Sequence, residues 1–124
     1  MRNYKKYSVW QKPHDLVILL YKNIVPGFPE WEKYGLASQL RRAAYSIPFN
    51  IVEGCGRNSE KDFAHFLDIS LGSAQELEYC ILLIKDLNFI NEEQYLLLNE
   101  KVNEIKAMII NLIRTIRPGS SVRR

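Results

Sequence analysis

The spacing of apolar residues from Tyr95 to Ile116 restricts the fold more than any other feature. Tyr95, Leu98, Val102, Ile105, Ile109, Leu112 and Ile116 recur at alternating intervals of three and four. That rhythm puts all seven along one face of an α-helix. Asn91, with Gln94 three residues on, supplies the side-chain pair that caps a helix start, and Pro118-Gly119 supplies the stop. A helix of about 25 residues with a single apolar stripe needs other helices to cover it.

Three more stretches carry matching stripes. Ser59-Glu60-Lys61-Asp62 opens a helix whose first-turn acids suit the helix dipole. Its stripe runs Phe63, Phe66/Leu67, Ser70, Ala74, Leu77, Ile81, Ile84 and ends near Leu87-Asn88. Around Tyr79–Ile84 the apolar residues cover every face, which points to burial on more than one side and to a contact between subunits. A second helix is expected between Gly35 and Gly54, with Leu36, Leu40, Ala43, Ile47 and Ile51 inward, Pro48 inside it and Gly54-Cys55-Gly56 breaking it. The first helix is expected from Pro13, tolerable in a first turn, to Val25, with Leu16, Leu20 and Ile24 inward. Pro26-Gly27-Phe28-Pro29 ends it, and Glu30–Tyr34 reads as a short connector. No strand pattern appears.

Four helices with short connections predict an all-α, antiparallel up-down-up-down four-helix bundle. The 124 residues suit a single domain, 1–124, with an ordered core of about 9–117 and basic tails at 1–8 and 118–124. The longest apolar runs, Tyr79 to Ile84 among them, are far short of the roughly 18 residues a membrane span requires. Residues 1–11 are polar and basic, unlike a secretory leader. Two cysteines, Cys55 and Cys80, are too few for a disulfide scaffold. A reduced, cytoplasmic protein is expected.

The net charge of +3 hides an uneven distribution. Residues 1–14 and 105–124 contain only basic residues among their charges, Lys106 and Arg114 included, and together carry +9, against −6 in between. An antiparallel bundle brings the start of helix one, the turn between helices two and three and the end of helix four to the same pole. Arg2, Lys5, Lys6, Lys12, Arg57, Lys61, Arg114 and Arg117 are therefore expected to form one basic patch suited to a polyanion.

No catalytic constellation is visible. His14 and His65 are the only histidines, and Asp-x-x-His occurs once, so neither a metal site nor any other cofactor is expected. No phosphate-binding glycine loop occurs. The polar residues along helix two, Arg41 and Arg42 among them, and Glu76 and Glu78 on helix three suit contacts between helices or subunits, and Glu53 with Arg57 suits an i,i+4 pair.

Trp10-Gln11-Lys12, Phe28-Pro29-Glu30, Glu32-Lys33-Tyr34-Gly35-Leu36, Gln39-Leu40-Arg41-Arg42-Ala43, Ser46-Ile47-Pro48, Asn50-Ile51-Val52-Glu53-Gly54, Gly56-Arg57, Phe66-Leu67, Gly72-Ser73 and Glu76-Leu77-Glu78 follow in order. Together they resemble the four-helix-bundle proteins encoded in 23S ribosomal RNA intervening sequences, over about residues 9–116. The resemblance implies a non-enzymatic bundle that assembles as a homopentamer. Relatives of that family include the accessory proteins of diversity-generating retroelements, basic pentameric barrels that bind a reverse transcriptase and nucleic acid. Two partner classes follow as expectations: RNA or DNA at the basic pole, or a protein partner such as a reverse transcriptase, with Trp31 and Phe49 as anchors. Pro13, His14, Trp31 and Phe49 depart from the family pattern. Glu76 and Glu78 are expected to pair with Arg41 or Arg42, within or between subunits.

Overall fold

The computed structural model describes residues 2–119; the basic residues Arg123 and Arg124 lie outside them. Four helices follow in order: α1 (Ser8–Leu19), α2 (Leu36–Cys55), α3 (Glu60–Asp86) and α4 (Glu92–Ile116). They form the expected all-α, antiparallel bundle, with no strand among the described residues.

Local chemistry sets the helix ends. Ser59 accepts the Asp62 amide at the start of α3. Asn91 and Gln94 make a reciprocal capping box at the start of α4. Between these helices, Asn88 takes the left-handed conformation (φ 62°) that an Asn tolerates at a helix end. Helix α2 runs unbroken through Pro48.

Three expected boundaries change. Helix α1 begins at Ser8, so Pro13 is its sixth residue rather than part of its first turn, and it loosens into a π-helical turn, Leu20–Ile24. Residues 2–7, expected as a tail, are tied down instead: Tyr4–Lys6 forms a 3-10 turn and Tyr7 packs edge-on against Phe63 at 6.3 Å. Gly54 and Cys55 also do not break α2 but complete it. Gly54 is needed for close packing, because a Cβ there would come within 2.9 Å of the Phe63 ring and 3.0 Å of Phe66 Cβ.

The core is the sum of the four stripes. Leu16, Leu20, Leu40, Ile47, Ile51, Phe63, Leu67, Leu77, Ile81, Leu98, Val102 and Ile109 are all buried. Each large aliphatic side chain so buried contributes about 1.5–3 kcal/mol. Along α4 the stripe drifts: Ile113 is fully buried while Leu112 is only partly so. A strict seven-residue repeat slips by about 20° per heptad on a 3.6-residue helix. Ser70, the one buried hydroxyl among the described residues, donates to the Ile47 carbonyl at 3.0 Å and so is satisfied.

Each pole is closed by contacts between distant segments. At one, Phe28 and Trp31 of the α1–α2 connector pack on Phe89 of the α3–α4 turn, with ring centroids 5.4 and 6.1 Å apart. At the other, the Arg2 amide donates to the Cys55 carbonyl at the end of α2 (3.1 Å).

Candidate nucleic-acid interface

Arg2 organises the second pole. Its guanidinium lies over the Phe63 ring (4.3 Å), donates to the Arg57 carbonyl (3.0 Å) and pairs with Glu60. Asn3 accepts the Lys5 amide (3.1 Å) and holds the turn that carries Lys5 and Lys6, both exposed. Arg57 stacks over Phe66 (4.7 Å) and donates to Glu53 at 2.6 Å, the i,i+4 pair expected from the sequence. Lys61 is exposed in the first turn of α3. Near the end of α4, Arg114 is exposed and Arg117 reaches across to Asp68 on α3 at 2.7 Å.

The pole is thus basic but partly neutralised. Arg2, Arg57 and Arg117 each share a carboxylate, whereas Lys5, Lys6, Lys61 and Arg114 make no ion pair among the described residues. Such exposed pairs are worth at most about 1 kcal/mol, so a phosphate can displace them.

Two of the terminal cations do not join this patch. Lys12 pairs with Glu104 (3.3 Å) in the groove between α1 and α4. Glu104 lies twelve residues before the end of α4, about 18 Å at 1.5 Å per residue. Lys106 is buried, donating to Gln75 (2.5 Å) and Glu78 (3.1 Å) on α3. Its burial follows from the packing of α4: Lys106, Ile110 and Ile113 form a second buried row beside the stripe.

Within the chain, Glu76 and Glu78 do not meet Arg41 or Arg42. Glu76 accepts from Gln39 at 2.5 Å, and Glu78 takes Lys106. Arg41 donates to the Lys33 carbonyl (3.3 Å) and approaches the Tyr21 ring (6.0 Å), while Arg42 points to solvent. The surface also shows aromatic residues. Phe49 is 67% exposed and Trp31 76%. Trp10, His14, Val17, Tyr45, Pro48 and Phe49 line a groove of about 300 Å³ between α1 and α2, in which Trp10 stacks on His14 at 4.8 Å.

Both thiols are buried, and their ionisation is pushed up. For Cys55 burial dominates over the opposing Arg2 charge; for Cys80 burial and Glu76 act together. Among the described residues no three His, Cys, Asp or Glu side chains are grouped to hold a metal ion, and His65 lies edge-on to Phe66 at the surface. No helix among them is long and apolar enough to cross a membrane.

Comparison with curated proteins finds no match. Among solved structures, the fold is similar to a protein of unknown function from the S23 ribosomal protein family of Bacteroides thetaiotaomicron VPI-5482. The two are 29% identical, with a TM-score of 0.78 over 86% of this chain and 95% of that one. The family model for the 23S rRNA-intervening sequence protein matches residues 5–111, which span all of α1, α2 and α3 and most of α4. The chain therefore belongs to the 23S rRNA-intervening sequence protein family.

Proposed function

We propose that this protein is a non-enzymatic cytoplasmic building block: copies assemble into a closed homo-oligomer, five in number as the family resemblance implies, and present their basic poles to RNA. The observation that carries the RNA reading is the joining of three separate basic segments at one end, with Arg2 docked on the α2–α3 turn and Arg117 on Asp68. The assembly reading is supported by large apolar side chains left in water, among them Phe49, Tyr79, Leu82 and Leu96.

Phosphate contacts make affinity fall steeply with salt, by about 0.7–0.9 in log–log slope for each phosphate neutralised. Fluorescence anisotropy with a labelled structured RNA, at 50 and 200 mM salt, tests this. Binding that weakens with salt and drops on replacing Arg57, Lys61, Arg114 and Arg117 with Ala supports the reading. No binding at 50 mM salt, or binding indifferent to those four changes, overturns it.

A second reading, an adaptor for a protein partner such as a reverse transcriptase, rests on the exposed Trp31, since buried indoles often anchor interfaces. A Trp31→Ala change that abolished partner capture while leaving RNA affinity intact would favour it.

A further inference from the structure

Two aromatic rows meet along the seam between α1 and α2. Trp10 and His14 stand one turn apart on α1, and Tyr45 and Phe49 one turn apart on α2. They line the groove of about 300 Å³, and Tyr4, on the turn that precedes α1, lines its end nearest the basic pole. None of the lining side chains carries a carboxylate or an ammonium group. The rings are not sealed away either: Phe49 and Tyr45 are exposed, and Trp10 and His14 are half-buried.

Such a groove suits a flat ring. Trp10 and His14 already lie face to face, 4.8 Å apart and 18° from parallel, and Phe49 stands on the other wall. The volume is at the small end for ligand sites, enough for one planar heterocycle and too little for a docked helix. The neighbouring charges choose among flat ligands. Lys5 Nζ lies 6.0 Å from the Tyr4 ring, and Tyr4 meets Trp10 edge-on at 5.0 Å. Lys6 is exposed on the same turn. These lysines repel a cationic guest and attract a neutral ring tied to negative charge. A nucleotide within a strand is such a ring, a flat base flanked by phosphates.

We infer that this groove takes one unpaired RNA base, stacked between the Trp10–His14 pair and Phe49, while Lys5 and Lys6 hold the phosphates beside it. This rests on the RNA reading above and adds a second component to it. The basic pole attracts any polyanion, whereas the groove selects single-stranded or bulged RNA, because a base paired within a duplex has no free face to offer. Phe49 then serves the RNA. The assembly reading keeps Tyr79 and Leu82 on α3 and Leu96 on α4.

Trp31→Phe leaves Trp10 as the only indole, so tryptophan emission then reports on the groove. This protein is titrated at 50 mM salt with single-stranded RNA, blunt duplex RNA of the same length, and inorganic polyphosphate. All three are expected to bind, and only the single strand is expected to quench Trp10. Phe49→Ala is expected to weaken single-stranded RNA by about 5- to 150-fold, the effect of losing one stacked base. Its duplex affinity and salt slope are expected to stay at wild type, since no phosphate contact is removed. Its helical circular dichroism is expected to be unchanged, because Phe49 is largely exposed, and Phe49→Tyr is expected to keep the wild-type affinity. Single-stranded RNA that binds without quenching Trp10 overturns the groove and leaves the basic pole standing. So does a Phe49→Ala variant that binds it as wild type does, or that loses duplex and single strand equally. Trp10 emission that changes on diluting the protein alone, and not with RNA, puts a second copy in the groove and overturns the proposal. No binding of either RNA overturns the RNA reading and the groove together.

Discussion

Lys106 Nζ lies 3.1 Å from Glu78 Oε1 and joins α4 to α3 with the lysine side chain only 8% exposed. Gln75 Oε1, at 2.5 Å, gives the ammonium a second acceptor. Removing one partner of such a pair strands a desolvated charge, whereas replacing the buried cation by an apolar chain of similar shape does not. Glu78→Ala is therefore expected to lower stability by about 2–3 kcal/mol, less than for a fully enclosed pair because Gln75 remains. Lys106→Met is expected to stay within about 1 kcal/mol of wild type. Urea midpoints at fixed protein concentration check both.

Gly54 sits tight against the start of α3, facing Phe63 and Phe66. Gly54→Val drives a branched side chain into those two rings, and overpacking of this kind costs about 1–3 kcal/mol. The contrast with Gly72 is diagnostic. Gly72→Ala meets open space and is expected to raise the stability of the isolated chain by about 0.5–1 kcal/mol.

The capping box at Asn91 satisfies two backbone groups at once, with bonds of 2.9 and 2.8 Å. Asn91→Ala is expected to cost about 1 kcal/mol, and Gln94→Ala somewhat less. Thermal unfolding followed at 222 nm reads both.

The buried thiols predict an alkaline limit to stability. Each ionises less readily folded than unfolded, where the ordinary value is about 8.5. The unfolded chain thus loses its thiol protons first as pH rises. Stability is expected to be flat below pH about 8 and to fall above it, until the folded thiols also ionise. Cys55→Ala with Cys80→Ala should flatten that decline in pH-dependent urea unfolding. In the native wild type, both thiols are expected to react with a maleimide far more slowly than free cysteine at the same pH.

The helices were legible because their causes are local. The stripes of α2, α3 and α4 and the caps at Ser59 and Asn91 act over three or four residues, and each appears where the spacing puts it. The start of α1 was not legible in this way. Pro13 suggests a first turn by local rules, but the chain upstream is held by Arg2 on Cys55 and Tyr7 on Phe63, contacts more than fifty residues apart.

The candidate site divides along the same line. The antiparallel order follows from short connections, so the gathering of Arg57, Arg114 and Arg117 with Lys5 and Lys6, though not Lys12, at one end could be read from the chain. The fate of each charge could not. Lys106 and Arg114 look alike as basic residues of one terminal segment, yet one is buried against Glu78 and the other exposed. Which polar group meets which depends on the rotation and relative height of neighbouring helices. Those are set by packing the whole core at once, and no local spacing encodes them. On α2 it is Gln39, not Arg42, that packing places to donate to Glu76.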